Sequence, residues 1–312
     1  MARQYKDVRF LIMSDTHGMR SDYGDREHPF AKANANAKAN VLLHCGDLTK
    51  EGTPRQIQAA IRLLKDTAPS AELRLVIPGN HENTLDRHFW VNEWGGDPAE
   101  HEEAKAIVKY ETENDRRGFH LLDEGVHMFT LRSGATFTIY ASPRTPVGFT
   151  RSGAFQYNRS IIREYPDGPD IVMTHTPPEH ILDSKLPRGR STGCHHLRNA
   201  ITRAKPALHC FGHIHKSYGA QRVSYLSANG EEYLQGSYFV GDDWNDEMKV
   251  FPKEVIDMEA AKQRGWAQVS DEAMRRVQGG RETLMVNAAL LEEDRKNFRP
   301  PFVVDLKLPV RH

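Results

Sequence analysis

Five short apolar runs in this chain each end abruptly in aspartate, asparagine or histidine. With the polar residues that follow, they read "FLIMSDTHG", "VLLHCGDLT", "LRLVIPGNHE", "IVMTHTPP" and "ALHCFGHIH". Apolar runs of this length, bounded by turn residues, are typical of buried strands. Between them, "TPRQIQAAIRLLKDT" has helical periodicity, with Ile57, Ile61 and Leu64 on one face and Thr53 as N-cap before Pro54. Strands that alternate with helices predict an α/β fold with largely buried sheets.

The organisation of the chain favours a single domain over residues 1–312, since no Gly/Ser linker or internal repeat divides it. The segment from about 231 to 281 differs from its surroundings because it is polar and highly charged. We interpret it as a partly helical insertion, which leaves open a lid, an oligomer contact or simple decoration. Two further strands, "TLMVNAAL" and "PFVVDLKL", are expected to close the domain.

Composition argues against several classes of protein. Basic and acidic residues number 42 each, so no net positive field draws the chain to long nucleic acid or to an anionic membrane. No run approaches the ~18 apolar residues of a membrane-spanning helix. The three cysteines are odd in number and show no CxxC spacing, and the N-terminus resembles no signal peptide. These features predict a cytoplasmic protein with reduced cysteines; they leave the oligomeric state open.

The polar ends of the five runs supply seven candidate metal ligands. In open α/β sheets, such residues gather at the carboxyl ends of the strands. Each of them alone is an ordinary turn or core residue, but five strand ends of this kind together indicate one site. The seven are Asp15, His17, Asp47, Asn80, His175, His213 and His215.

The ligand types narrow the choice of metal. Carboxylate, amide and imidazole without thiolate suit Mn²⁺, Fe or Zn²⁺ better than a cysteine-rich structural zinc site or an all-oxygen calcium site, and Mn²⁺ is the metal we expect. Seven ligands exceed what one ion needs, so we expect two divalent ions that share a bridging carboxylate. His213 and His215 lie two apart, and on an extended segment they would point the same way and reach one ion each.

In this order, "SDTHG", "GDLT", "GNHE", "THTPP" and "GHIH" resemble the motifs of the calcineurin-like metallophosphoesterases. Within that superfamily, "ASPRTP" followed by "AFQYNR", "THTPPE", "FGHIHKSYG" and "VNAA" look closest to the metallophosphoesterase-domain (fetal-brain type) phosphodiesterases and their fungal and bacterial relatives. The resemblance implies a four-layer α/β/β/α sandwich of two mixed β-sheets flanked by helices. The Asp-Arg-Gly that protein phosphatases of this superfamily carry after Gly-Asp is absent from "GDLTKEG", which disfavours that activity.

The same resemblance assigns roles to the ligands. Asp15, His17 and His215 would bind the first metal, and Asp47 would bridge. The second metal would take Asn80, His175 and His213, while His81 would be the catalytic histidine. Asn80 and His81 are also expected to contact the substrate.

The predicted function is a dinuclear-metal phosphodiesterase acting on a small phosphodiester, with a cyclic nucleotide as one candidate. Attack by a metal-bridging hydroxide would be in line with the leaving group, and His81 would protonate that group as general acid. A histidine that only orients a ligand is the alternative for His81. Alternatives for the protein are a phosphomonoesterase or short-strand nuclease on the same site, and, in another class, a metal-bound scaffold or nucleotide-binding module with little turnover.

Other polar residues are weaker candidates. Arg144, in "SPRTP", has the planar fork that suits a phosphate oxygen, although most surface arginines are simply solvated. His44 and His209 lie inside strand runs and are expected to be packed, hydrogen-bonded histidines. "CHH" at Cys194 is interpreted as a loop before a helix, because no second metal-like pair accompanies it.

Overall fold

The computed structural model describes most of the chain. The described residues are 4–19, 37–114, 118–147, 153–157, 168–184, 191–225, 238–240, 248–280, 282–294 and 296–310. Within them, no helix is both long enough and apolar enough to cross a bilayer.

Two mixed β-sheets form the framework. The six-stranded sheet has, in spatial order, β14 (Ala267–Gln268), β16 (Phe302–Pro309), β1 (Tyr5–Met13), β2 (Val41–His44), β3 (Leu73–Val76) and β4 (Phe119–Leu121). The eight-stranded sheet has β12 (Tyr238–Val240), β13 (Met248–Lys253), β11 (Gly219–Tyr225), β15 (Glu282–Asn287), β10 (Leu208–Phe211), β9 (Ile171–Thr174), β6 (Thr136–Ser142) and β5 (Gly125–Thr130). A short parallel pair, β7 (Thr145–Pro146) and β8 (Gln156–Tyr157), lies apart from both sheets.

The helices lie outside and beside the sheets. They are α1 (Pro54–Thr67), α2 (Pro98–Asn114), α3 (His195–Ala204), α4 (Met258–Arg264) and α5 (Asp271–Gln278). Single turns occur at Asn83–Leu85 and His215–Ser217 (3₁₀) and at His88–Glu93 (π). As predicted, α1 begins after an N-cap at Thr53, whose hydroxyl accepts from the amide of Gln56, and it buries Ile57, Ile61 and Leu64.

Apolar packing produces four layers. Between the sheets, the rings of Phe10 and Phe137 meet edge to face with centroids 5.5 Å apart. The α1 helix covers the outer face of the six-stranded sheet, and α3 packs Leu197 and Ile201 against the outer face of the other sheet. This confirms the predicted α/β arrangement of two mixed sheets flanked by helices.

The described part of the polar segment at 231–281 contributes strands to both sheets. β13 pairs antiparallel with β11, and β12 pairs antiparallel with β13, which extends the eight-stranded sheet. β14 pairs in parallel with β16 at the edge of the six-stranded sheet. Ala261 of α4 and Val277 of α5 are buried in the core between the sheets. The part of the segment that the structure describes is therefore structural as well as partly helical.

Candidate metal centre

The five polar strand ends meet at one rim of the molecule. β1, β2 and β3 run parallel in one sheet, and β9 and β10 run parallel in the other, so each sheet brings its carboxyl ends to one edge. The two edges are joined there: Ser14 bridges to Ala289, and the amide of His213 donates to Asp15 Oδ2 at 2.9 Å. The structure thus brings all seven predicted ligands together.

The backbone of this rim is strained. Four of the seven candidate ligands have positive φ, namely Asp15 (56°), His17 (44°), Asp47 (55°) and His213 (68°). Residues other than glycine rarely adopt this left-handed conformation, and such strain concentrates at functional sites. The glycines allow close contact between the loops. A Cβ on Gly79 would lie 2.3 Å from Asp47 Oδ1, and one on Gly212 would lie 2.1 Å from Asp15 Oδ2.

One group of ligands joins β1 to β10. His215 Nε2 lies 3.2 Å from Asp15 Oδ1 and 3.3 Å from His17 Nε2, and the potential ligand atoms of the three residues lie within 4.8 Å of one another. A second group joins β2, β3 and β9 to β10. His175 Nε2 lies 3.4 Å from Asp47 Oδ2 and 3.1 Å from Asn80 Oδ1, with His213 Nδ1 at 3.2 Å.

The two histidines of "GHIH" are divided between the groups, His213 in the second and His215 in the first. The prediction that these two residues lie on an extended segment was wrong. The segment is not extended, because His213 is left-handed and His215 begins a 3₁₀ turn. The turn, rather than the alternation of an extended strand, directs the two rings to different groups.

Asp47 lies between the groups and uses its two oxygens differently. Oδ1 accepts from the amide of His81 at 3.0 Å. Oδ2 faces histidines of both groups, with His175 Nε2 at 3.4 Å and His17 Nε2 at 3.7 Å. A single carboxylate oxygen placed between two ligand sets is the arrangement that a bridging ligand requires.

Backbone carbonyls orient three of the histidine rings. Nδ1 of His17 contacts the carbonyl of Thr49 at 3.2 Å, Nδ1 of His175 that of Cys45 at 2.8 Å, and Nδ1 of His81 that of Lys50 at 2.6 Å. Because a carbonyl oxygen only accepts, Nδ1 carries the hydrogen and Nε2 faces the centre. This is how proteins fix the tautomer of metal-binding histidines.

The charges of the site are mutually compensating. Burial alone would raise the pKa of Asp47, but the charge of His175 and its hydrogen bond hold that pKa well below its usual range. Burial alone would lower the pKa of His175, and the Asp47 charge and hydrogen bond instead raise it to about 9. Likewise, burial opposes the shift at Asp15, yet the hydrogen bond and charge of His215 lower its pKa. A divalent cation would replace the Nε2 protons and supply the same compensation, so the residues fit the metals predicted.

Two other predicted site residues, His81 and Arg144, lie outside the two groups of ligands. His81 is part-exposed, with 41% of its side chain accessible, and its Nε2 lies 4.0 Å from Asp47 Oδ2. Arg144 donates from Nε to Glu124 Oε2 at 3.2 Å, and its carbonyl accepts from the hydroxyl of Thr176 beside His175. It therefore lies near the rim in an ion pair, and its contact with a phosphate stays a prediction.

His44 and His209 are buried and hydrogen-bonded, as predicted. His44 Nε2 is hydrogen-bonded to the hydroxyl of Thr16 at 3.1 Å, and His209 Nε2 to that of Thr174 at 2.9 Å. Burial lowers the pKa of each to about 3, so both are neutral. The "CHH" stretch needs one correction, because Cys194 is already the N-cap and α3 begins at His195.

Sequence reasoning missed two charged residues near the centre. Glu82, directly after His81, is buried and accepts hydrogen bonds from the loops that carry Asp47 and Asn80. Arg299 stacks over the ring of Tyr218 at 5.5 Å, and Tyr218 follows the turn that begins at His215. Glu82 could have been noticed as the acid of "GNHE"; Arg299 lies in a polar loop with no distinguishing signal.

The segment 153–157 also borders the site. The amide of Ala154 donates to the carbonyl of Asn80 at 3.1 Å, and Gly153 approaches Asn80 so closely that a Cβ would lie 2.9 Å from that carbonyl oxygen. Asp86 accepts from the amide of Phe155 and fixes the segment in place. It forms part of the wall beside Asn80.

Comparison with known proteins agrees with this geometry. The family model described as calcineurin-like phosphoesterase matches residues 8–217. The chain belongs to that family. The matched residues include every strand end of the metal centre.

Individual relatives are distant. The chain is 30% identical to human metallophosphoesterase domain-containing protein 1 over 71% of its own length and 66% of the relative's. It is 31% identical to a protein of Emericella nidulans named probable rhamnogalacturonate lyase C, over 69% of this chain and 18% of that one. A Caenorhabditis elegans UPF0046 protein is 29% identical over 70% of this chain and 54% of its own. The chain thus spans less than two thirds of each of these relatives.

Proposed function

We propose that this phosphoesterase is a dinuclear-metal phosphodiesterase that hydrolyses a small phosphodiester, with a cyclic nucleotide as the first candidate. The observation that carries the proposal is the position of Asp47 Oδ2 between two groups of ligands, each of which draws residues from both sheets. The resemblance of "THTPPE" and "FGHIHKSYG" to the phosphodiesterase branch of the family supports a diester. The equal numbers of acidic and basic residues support a small substrate over a long nucleic acid.

The bound ions, preferably Mn²⁺, would offset the phosphate charge and lower the pKa of water. The side chains of the two groups would hold the ions in place. Asp15, His17 and His215 hold one side of the centre, while Asn80, His175 and His213 hold the other. Arg144 is a candidate contact for a phosphate oxygen at the rim.

Protonation of the leaving group is assigned to His81. Its Nδ1 hydrogen is held by the carbonyl of Lys50, so only Nε2 is free to carry and release the catalytic proton. The ring is part-exposed and packs edge-on against His17, with centroids 4.7 Å apart. Nε2 therefore lies beside the metal centre and remains within reach of a substrate oxygen. A leaving alkoxide needs such an acid, an effect typically worth ~10²–10⁴-fold.

The test is a side-by-side rate comparison on protein stripped of metal and reloaded with Mn²⁺. We expect bis-p-nitrophenyl phosphate to be hydrolysed faster than p-nitrophenyl phosphate, and the rate to collapse in Asp47→Asn. Cyclic nucleotides would then be assayed with the same protein. Preference for the monoester would contradict the diesterase proposal and indicate a phosphomonoesterase. If two ions bind but neither ester is cleaved, the catalytic proposal fails and the scaffold alternative takes its place.

A further inference from the structure

The carboxylate of Glu82 is buried beneath the metal centre and is fully engaged. The residue is 1% exposed. Its Oε1 accepts from the amide and the hydroxyl of Thr49, both at 2.9 Å. Its Oε2 accepts from the amide of Gly79 at 2.7 Å and from that of Asp47 at 3.0 Å.

These four donors come from two different loops. Asp47 and Thr49 lie in the loop after β2, and Gly79 lies in the loop after β3, directly before Asn80. A carboxylate has room for about four donors and donates nothing itself when ionised, so Glu82 suits this position better than an amide would. Glu82 is thus a clamp between the loop of the proposed bridging ligand and the loop of a ligand to one ion.

The proposed bridging ligand, Asp47, is also held by hydrogen bonds to this segment. Asp47 Oδ1 accepts from the amide of His81, which immediately precedes Glu82, while the Asp47 amide donates to Glu82. The two contacts close a ring that holds Asp47 in its left-handed conformation and leaves only Oδ2 directed at the histidines. Without the clamp, relaxation of the strained backbone at Asp47 would turn Oδ2 away from one of the two groups.

We propose that Glu82 is a positioning residue that sets the Asp47 bridge and thereby the affinity for the second metal ion. The inference rests on the two-metal centre of the proposed function, but not on the diester substrate. Residues that orient metal ligands through hydrogen bonds typically contribute 10–100-fold to affinity or activity.

The experiment is a Mn²⁺ titration of metal-free wild type and Glu82→Gln by calorimetry, with electron paramagnetic resonance to detect the coupled ion pair. In either orientation the amide NH₂ of glutamine would face at least one backbone N–H donor, so we expect one of the two affinities to fall about 10–100-fold and the coupled signal to weaken. Asp170→Asn is the matched control, because Asp170 accepts from the amide and hydroxyl of Thr138 at the opposite end of the strands. We expect it to bind both ions as wild type does.

A milder variant covers the case in which Glu82→Gln does not fold. Thr49→Val removes the hydroxyl donor to Glu82, together with a longer contact to the His81 carbonyl, and leaves the three amide donors in place. We expect a smaller loss of affinity for the same ion. Hydrogen exchange of the metal-free variants should show faster exchange at the amides of Asp47, Thr49 and Gly79, a change that Asp170→Asn should lack. If the folded variants bind both ions with wild-type affinity and coupling, the inference is overturned, even if wild type cleaves diesters. If wild type binds a coupled pair that the variants lose, but cleaves no diester, the inference stands and the proposed activity fails.

Discussion

At the scale of single residues, the proposed chemistry depends most on the proton of His81 Nε2. The Lys50 carbonyl fixes the other ring nitrogen, and Asp47 Oδ2 lies 4.0 Å from Nε2. The ring is thus oriented without being buried, as a group that both faces the centre and meets a substrate must be.

Replacement of His81 by alanine should slow the reaction in a way that depends on the leaving group. For a diester with a poor alkoxide leaving group, we expect kcat to fall ~10²–10⁴-fold. For p-nitrophenyl esters the fall should be smaller, since a phenolate needs less help from an acid. The measurement is kcat against leaving-group basicity for both proteins at saturating Mn²⁺. His88→Ala, on an exposed side chain, is the control. An equal fall for every leaving group would contradict the acid role and favour a ligand-orienting one.

At the scale of elements, apolar runs and their polar ends were enough to place the strands. The runs ending at Asp15, Asp47, Asn80 and His175 became β1, β2, β3 and β9, because buried strands leave a local signal in sequence. The turn at His213 and His215 could not be foreseen, since it depends on close packing of Gly212 against Asp15. The roles of Glu82 and of residues 248–280 also depend on contacts between distant segments, which no local pattern encodes.

His209, which lies in β10, should make the stability of the metal-free protein depend on pH. Its Nε2 hydrogen goes to the hydroxyl of Thr174, which in turn donates to the carbonyl of Thr176. Its buried Nδ1 makes no hydrogen bond with any described residue. Burial lowers the pKa from 6.5 to about 3, so between these values the unfolded state binds more protons than the folded state. Stability due to this residue is therefore present above pH 6.5 and is lost as the pH falls.

In the metal-free protein, His209→Gln should remove that part of the acid sensitivity. Between pH 7 and pH 5, the free energy of unfolding of the variant should fall by about 2 kcal/mol less than that of wild type, from 1.36 kcal/mol per pKa unit. Urea unfolding at the two pH values measures this, with the exposed His88→Gln as control. Equal acid sensitivity in wild type and His209→Gln would show that His209 is not a buried neutral histidine.

At the scale of the whole molecule, the metal centre is a link between the two sheets. Asp15, Asp47 and Asn80 follow strands of the six-stranded sheet, whereas His175 and His213 follow strands of the eight-stranded sheet. Both proposed ions would therefore connect the two halves of the sandwich.

Metal should accordingly stabilise the entire fold. A ligand present at 100 times its Kd adds about 2.7 kcal/mol per site, so reloading with Mn²⁺ should raise Tm and a chelator should lower it again. Asp47→Asn should show a smaller rise. Differential scanning calorimetry of the two proteins over a range of Mn²⁺ concentrations checks this. A Tm that does not depend on Mn²⁺ would mean that the ligands do not hold ions at these concentrations.

The central claim is that two ions share Asp47, and anomalous diffraction from crystals of the Mn²⁺-loaded protein tests it most directly. We predict two anomalous peaks on either side of Asp47 Oδ2. One ion should be bound by Asp15, His17 and His215, and the other by Asn80, His175 and His213. One peak alone at saturating Mn²⁺, or two peaks that do not share Asp47, would contradict the account.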